Sequence, residues 1–374
     1  MRSLALLLLA APAGCKAKAP PQTELAVAPH VASAVGSGSA DAVGSGSSST
    51  AELLAANNLQ LLTSDEANAR VAAVFPTGVA TENAHPKVTY ERIATPVIDP
   101  TAYLVAEVQL AKPHTAAEIK NAFGGIPKTR MSVDLSIRNG TSDWVHVWLA
   151  SPDPPGTFDR VAIQVSLLFS GELLNQADAT TALDWLEHAR KQLDGTPIVL
   201  SMPVQAAIAR AKEVQTLARP FDNMRDIGVT IVAPAGKPFP LRLAWDAMYS
   251  AGFQWGDGDY MRWSPSDHED GISADCSIGM GYWMPEDVAK PGIGTEYIGM
   301  SFDLPRASQP ERMLAAMEQD ARYLAKRLGG KIFDSETHQP LDEAQLAARV
   351  AERTRSLTAA GLPPGSNLTS EAFL

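Results

Sequence analysis

The feature that most constrains the fold of this chain is an internal repeat. Residues 100–220 and 227–354 follow the same order of predicted strands, helices and glycine stops. The long helix of each segment ends in a similar turn, at Leu193-Asp194-Gly195 in the first and Leu328-Gly329-Gly330 in the second. A short apolar run and another helix follow each turn. We therefore expect two similar domains in tandem, each long enough to bury a core of its own.

Alternation of apolar and polar side chains predicts the strands. The clearest case is a run whose apolar members all face one way: Met131, Val133, Leu135 and Ile137. The order in each copy is β-α-β-β-β-α-β-α with short connections, which is typical of the α+β class. Each sheet would be antiparallel and covered by helices on one face. Its opposite face would be open to solvent or to a partner, and we expect function there.

Local signals place the ends of several elements. Capping pairs predict three helix starts: Thr115 with Glu118, Ser308 with Glu311, and Asp342 with Gln345. Gly124 and Gly125 are expected to end the first of these helices. In the second copy, Gln254–Trp263 and Cys276–Met284 read as two strands separated by an acidic loop, Ser264–Asp275.

The N-terminus has the pattern of an exported lipoprotein. Residues 1–15 hold one arginine, about ten apolar residues and small residues before Cys15, the predicted lipidation site of a signal peptide. Residues 16–50 are rich in Ala, Pro, Ser and Gly, which predicts a disordered tether. Residues 51–99 form an irregular transition segment, and 355–374 form a tail that is expected to be frayed from Ala359 onward. We expect a lipid-anchored protein whose domains lie outside the cytoplasmic membrane, in the periplasm or on the cell surface.

Composition argues against several functions. A net charge of -11 without a basic cluster argues against nucleic-acid binding. The two cysteines, Cys15 and Cys276, exclude a disulfide framework, and Cys276 is expected in the core. The histidines have no zinc spacing, and Asp267–Asp270 reads as a solvated acidic loop. No nucleophile elbow, phosphate loop or dinucleotide fingerprint is present in the sequence, so we predict no cofactor, no metal and no enzymatic activity.

Four motifs of the second copy carry a resemblance to a known family. They are Ala251-Gly252-Phe253-Gln254-Trp255-Gly256-Asp257, Ala289-Lys290-Pro291-Gly292, Phe302-Asp303-Leu304-Pro305, and Arg327-Leu328-Gly329-Gly330-Lys331-Ile332-Phe333-Asp334. In order and spacing, this copy resembles the FtsZ-binding domain of the bacterial cell-division protein ZipA. The first copy resembles it more faintly, through Pro155-Gly156-Thr157-Phe158-Asp159 and its Leu193-Asp194-Gly195 turn.

The resemblance implies an open sheet face that holds the C-terminal peptide of FtsZ in a groove. In the second copy this face would present Gly258, Tyr260, Ser277, Gly279, Gly281, Trp283, Gly299 and Ser301, with Lys290 at its edge. Ile278, Met280, Met300 and Phe302 would lie in the core. Tyr260 and Trp283 would be the main anchors, because Gly258 and Ser301 replace large apolar residues of the family.

The equivalent face of the first copy would be polar. It would carry Ser132, Asp134, Ser136, Arg138, Ala162 and Gln164, with Trp144, His146 and Trp148 on one strand. Trp144 and Trp148 are candidates for binding a protein or for packing within the chain. The two open faces could also bury each other, or be buried by residues 51–98.

Three functions remain open from the sequence. The first is an envelope lipoprotein that recognises a protein or peptide on an open sheet face. The second is a division factor on the cytoplasmic face of the inner membrane that binds the FtsZ peptide. A lipidated Cys15 would contradict it, because FtsZ is cytoplasmic. The third is an enzyme or small-ligand binder at a crevice between the domains.

Overall fold

A computed structural model describes residues 95–147, 152–256, 260–263, 271–275 and 292–373. Its strands are β1 (Tyr103–Thr115), β2 (Val133–Arg138), β3 (Val145–His146), β4 (Thr157–Ser166), β5 (Leu168–Phe169), β6 (Glu172–Leu173), β7 (Val199–Leu200), β8 (Asp226–Val232), β9 (Phe239–Pro240), β10 (Gln254–Gly256), β11 (Tyr260–Trp263), β12 (Ile272–Asp275), β13 (Gly294–Thr295), β14 (Tyr297–Asp303) and β15 (Lys331–Asp334). Its helices are α1 (Ala116–Phe123), α2 (Gln176–Gln192), α3 (Val204–Ala218), α4 (Leu241–Ser250), α5 (Pro310–Leu328), α6 (Glu343–Ala359) and α7 (Asn367–Ala372), and a 3-10 helix follows α3 at Arg219–Met224.

Two antiparallel sheets organise the described part of the chain. The first sheet has the order β3-β2-β4-β1-β7, and the second has the order β10-β11-β12-β14-β8-β15. In each sheet, the first strand pairs on one side with a strand that precedes a long helix in the sequence, β4 ahead of α2 and β14 ahead of α5. On its other side it pairs with the strand after that helix. The α+β class is therefore confirmed, and the descent of both halves from one domain stays a prediction.

Helix ends follow the local signals in most places. Thr115 caps α1 with the predicted capping box, and Gly124 ends the helix at φ +69°. Asp342 caps α6 by accepting a hydrogen bond from the Gln345 N–H at 3.1 Å. The cap predicted at Ser308 is wrong: Gln309 is the N-cap of α5, Pro310 is its first residue, and Ser308 is buried. The backbone of Ser308 packs closely against Gly365 of the C-terminal segment.

The second sheet differs from its predicted strands in two places. Residues 254–263 hold two strands instead of one, because β10 and β11 pair antiparallel as a hairpin. The predicted acidic loop ends in a strand, since β12 pairs with both β11 and β14. Pairing with two neighbours supplies the backbone hydrogen bonds of these four residues, although the polar sequence before them indicates a loop. The strand predicted at Cys276–Met284 lies outside the described residues.

The prediction of a frayed end at 359–374 is wrong for residues 359–373. Helix α6 continues to Ala359, and α7 follows with a Ser366 cap. Leu362, Leu368 and Phe373 are buried in the core. The C-terminal segment is therefore held by burial of its apolar side chains, which outweighs the entropy that usually frees a chain end.

Candidate functional site

The non-core face of the second sheet shows the predicted alternation. Along β14, Ile298, Met300 and Phe302 are buried, whereas Gly299 and Ser301 are half-buried on the opposite face. The neighbouring strand β8 repeats the pattern, because Ile227, Val229 and Ile231 are buried. The core positions predicted for Met300 and Phe302, and the opposite position predicted for Ser301, are thus observed.

A row of small residues crosses the centre of this face. Ser273 of β12 pairs with Ser301 of β14, and Ser301 pairs with Gly228 of β8. A β-carbon on Gly228 would lie 3.0 Å from the Met300 carbonyl oxygen and 3.3 Å from the Ser301 Cβ, so the backbones are closely packed there. Directly opposite residues on neighbouring strands lie about 5 Å apart. The row Ser273–Ser301–Gly228 therefore forms a low floor where no described side chain is larger than serine.

The turn after β15 borders this floor. The Ser335 N–H donates to the Gly228 carbonyl at 3.1 Å, and the Ser335 and Thr230 hydroxyls lie 2.9 Å apart. Glu336 accepts two hydrogen bonds from Arg353, at 2.7 and 2.8 Å. The small residues are thus bordered on this side by hydroxyls and a bidentate ion pair, which are suited to polar contacts at the rim of a binding surface.

Asp334 anchors that turn. Its carboxylate forms an ion pair with Arg349. It also accepts hydrogen bonds from the N–H groups of Glu336 and Thr337, at 2.9 and 3.0 Å. Burial by itself would raise the pKa of Asp334, but these three hydrogen bonds outweigh it and hold the pKa below its ordinary value. Asp334 is therefore a fixed anion with a structural role, and its hydrogen bonds hold Ser335 and Glu336 in place.

A second carboxylate, Asp303, lies at the end of β14. It pairs with Arg225 at 2.5 Å. Burial raises the pKa of Asp303, and the attraction of Arg225 only partly offsets this effect. A partner that approached Asp303 would meet a carboxylate already neutralised by its own arginine.

The structure describes only some of the residues that were predicted to bind a partner. Ser301 lies at the centre of the floor, and Tyr260 begins β11, where it pairs with Gly256. The predicted groove members Gly258, Trp283 and Lys290 lie outside the described residues, as do Trp148 and the lipidation site Cys15. Sequence reasoning missed Ser273 and Gly228, because the first was assigned to a loop and the register that joins both to Ser301 is not visible in the sequence.

The first sheet corrects another expectation. Its predicted open face is closed at its centre, where Ser136, Ala162 and Gln164 are buried. The Gln164 amide accepts the Asp99 N–H at 2.9 Å and donates to the Val97 carbonyl at 2.6 Å. Residues 97–99 of the transition segment thus lie over this face, one of the alternatives that the sequence left open. A buried amide favours such a contact because it satisfies both of its polar groups.

Trp144 lies at one end of the same face and contacts its own chain. The Arg138 guanidinium carbon stands 4.4 Å from the centre of the Trp144 ring, a cation–π distance. The ring is half-buried and packs partly against the core. His146 follows on β3 and pairs with Ser136.

A cavity of about 250 Å³ lies at the edge of the first sheet. Its apolar wall includes Ile126, Met131, Leu135, Phe169 and Trp185. Pockets for small molecules usually measure about 300–1,000 Å³, so this volume suits a single large side chain better than a cofactor. All its lining residues belong to the first half, so it gives no support to a site between the two domains.

Within the described ranges of the chain, no group of three His, Cys, Asp or Glu side chains is placed to hold a metal ion. None of the helices there combines the length and the apolar composition that crossing a bilayer requires. In comparisons with known proteins, the chain matches no family model and no curated protein.

Proposed function

We propose that this chain is a non-enzymatic binding protein of the bacterial cell envelope, tethered to the membrane by a lipid on Cys15. Its binding surface is the non-core face of the second sheet. The observation that carries the proposal is the row Ser273–Ser301–Gly228, half-buried and free of bulk across three central strands. The resemblance of the second copy to the ZipA domain family supports the same face.

Small side chains on a sheet face let the backbone of a partner come close to the strands. The rim then supplies hydroxyls at Thr230 and Ser335, and the Glu336–Arg353 pair stands beside them. A protein segment that carries its own bulky apolar side chains would fill the floor and bond to the rim. The expected ligand is therefore a peptide or a protein segment that supplies the bulk absent from the floor.

Ser301→Tyr tests the surface directly. The added ring would project from a half-buried position of the non-core face and cover the floor. Thr216→Tyr is the matched control, because Thr216 is exposed on α3 and makes only a local hydrogen bond to Lys212. We expect cross-linking in envelope fractions to capture the same partner proteins with the unaltered chain and with Thr216→Tyr. These proteins should be lost with Ser301→Tyr. An identical set of proteins with all three would refute the assignment of this face.

The runner-up function is a division factor in the cytoplasm that binds the FtsZ C-terminal peptide through the same face. Topology separates the two. Mass spectrometry of the mature N-terminus, with protease treatment of intact cells and spheroplasts, is expected to find diacylated Cys15 and domains outside the cytoplasmic membrane. An unprocessed N-terminus and protected domains would contradict the envelope proposal. In that case a synthetic FtsZ peptide, titrated against the chain and against Ser301→Tyr, becomes the test.

A further inference from the structure

Two arginines face each other on the polar face of the first sheet. Arg138 of β2 and Arg160 of β4 are register partners, so their side chains leave the sheet on the same face about 5 Å apart. Their neighbours in the strands, Ile137 and Val161, are fully buried on the core face. Like charges directly opposite on paired strands destabilise a sheet. This arrangement therefore has a cost in the isolated chain.

Glu107 is an acidic residue that shares this face with the two arginines, and it lies diagonal to Arg160 without forming an ion pair with it. No ion pair joins either arginine to a carboxylate in the described part of the chain, and the buried Nε atoms of both have no acceptor there. Three other arginines, Arg225, Arg349 and Arg353, each form an ion pair with Asp or Glu. Buried donors without an acceptor are uncommon in native proteins, and a ligand that accepts their hydrogen bonds would account for these two.

The surroundings hold the pair in place. The Arg138 guanidinium carbon lies over the Trp144 ring at 4.4 Å, a cation–π contact that does not use its hydrogen-bond donors. Gln109 pairs with Arg160 on its other side, and the Gln109 amide donates to the Asp159 carbonyl at 3.0 Å. The closed centre of the face, at Ser136 and Ala162, lies next to the pair. Two guanidinium groups on opposite register positions beside a half-buried indole ring suit an anion with an apolar neighbour.

We propose that Arg138 and Arg160 bind a carboxylate of an acidic peptide segment, with Trp144 contacting an adjacent apolar side chain. A carboxylate accepts bidentate hydrogen bonds from guanidinium groups. Glu107 lies on the same face, opposite Ala162, and its charge favours a monoanion over a doubly charged phosphate. This site belongs to the first sheet and does not depend on the binding surface of the second.

Binding of a labelled hexapeptide of alternating Glu and Leu to the full chain tests the proposal. The neutral Gln–Leu hexapeptide is the ligand control, and Arg312→Gln is the protein control, because Arg312 is exposed on α5 and loses the same charge. In about 0.15 M salt, where remote charges are screened, we expect the Glu peptide to bind at least about tenfold more tightly than the Gln peptide. Arg138→Gln and Arg160→Gln should each remove about that factor, and Arg312→Gln should change affinity less than twofold.

Nuclear magnetic resonance of the arginine Nε–H groups locates the contact. The signal that disappears in each of Arg138→Gln and Arg160→Gln identifies the Nε–H group of that arginine. These two signals should shift when the Glu peptide is added to the unaltered chain. Equal affinity for the two peptides, or an equal effect of Arg312→Gln, would overturn the proposal. So would displacement of the peptide by inorganic phosphate at lower concentration than by acetate, because the ligand would then carry phosphate.

The melting temperature separates a binding role from a structural one. Removing one of two opposed charges relieves their repulsion, so Arg160→Gln is expected to melt at the same or a higher temperature in low salt. A marked fall in its melting temperature would mean that Arg160 holds the sheet together, and the assignment as a binding residue would fail.

Discussion

The strongest structural test concerns Gly365, where the C-terminal segment meets the start of α5. Gly365 has φ +75°, and a β-carbon there would lie 2.4 Å from the Ser308 Cα and 2.9 Å from its nitrogen. Its N–H donates to the Pro305 carbonyl at 2.8 Å. Real β-carbon contacts are essentially never closer than 3.0 Å. Alanine at this position must therefore push two backbone segments apart.

Gly361 is the matched control, because it shares the conformation and lacks the contact. It has φ +81°, and a β-carbon there would meet nothing within 4 Å. Gly361→Ala should cost only the left-handed backbone strain of a non-glycine residue, about 1 kcal/mol. Gly365→Ala should cost the same strain plus about 1–3 kcal/mol of overpacking, so about 2–4 kcal/mol in all.

Urea denaturation followed by circular dichroism gives the free energy of unfolding of each variant. The difference between the two alanine variants isolates the close approach at Ser308, because the strain term cancels. If both variants lose about 1 kcal/mol, the C-terminal segment does not pack against Ser308. The buried positions of Leu362 and Leu368 would then need another explanation.

Two further predictions concern local hydrogen bonds. The pKa of Asp334 lies below its ordinary value in the folded chain, so its contribution to stability is fully present above pH about 4 and is lost as pH falls through the folded pKa. Between pH 6 and 3 the free energy of unfolding should therefore fall less steeply for Asp334→Asn than for the unaltered chain, and parallel curves would contradict this. Thr115→Ala removes the cap that accepts the Glu118 N–H at 3.2 Å and should cost about 1 kcal/mol in a urea titration. Thr216→Ala, in the exposed interior of α3, should cost less than about 0.5 kcal/mol, and equal losses would show that the cap contributes nothing.

Local patterns in the sequence predicted much of the fold because the forces behind them act within a few residues. The Thr115 capping box and the left-handed Gly124 depend on neighbours in the same turn, and both are observed. Period-two alternation along 297–303 predicted which residues of β14 are buried, because a strand places successive side chains on opposite faces. The α+β class follows from the order of such elements.

Local patterns failed where a distant segment decides the outcome. Residues 272–275 read as part of an acidic loop and become a strand, since β14 offers a partner that lies far along the chain. Ser308 looks like an N-cap, but Gly365 packs on its backbone and Gln309 takes that role. The C-terminal residues read as a frayed end, and burial against the core orders them.

For the candidate sites, too, some features follow from local sequence and others from tertiary structure. The sequence by itself determined which residues are polar, small or aromatic, and which face of a strand they share, because alternation depends only on backbone geometry. It placed Ser301 opposite the core and Arg138 on the polar face of its strand. Only the tertiary structure decided that residues 97–99 close one sheet face, that Ser273 and Gly228 flank Ser301, and that Arg138 faces Arg160. Register and coverage are set by the packing free energy of segments that are distant in the sequence, and no local pattern of residues contains that information.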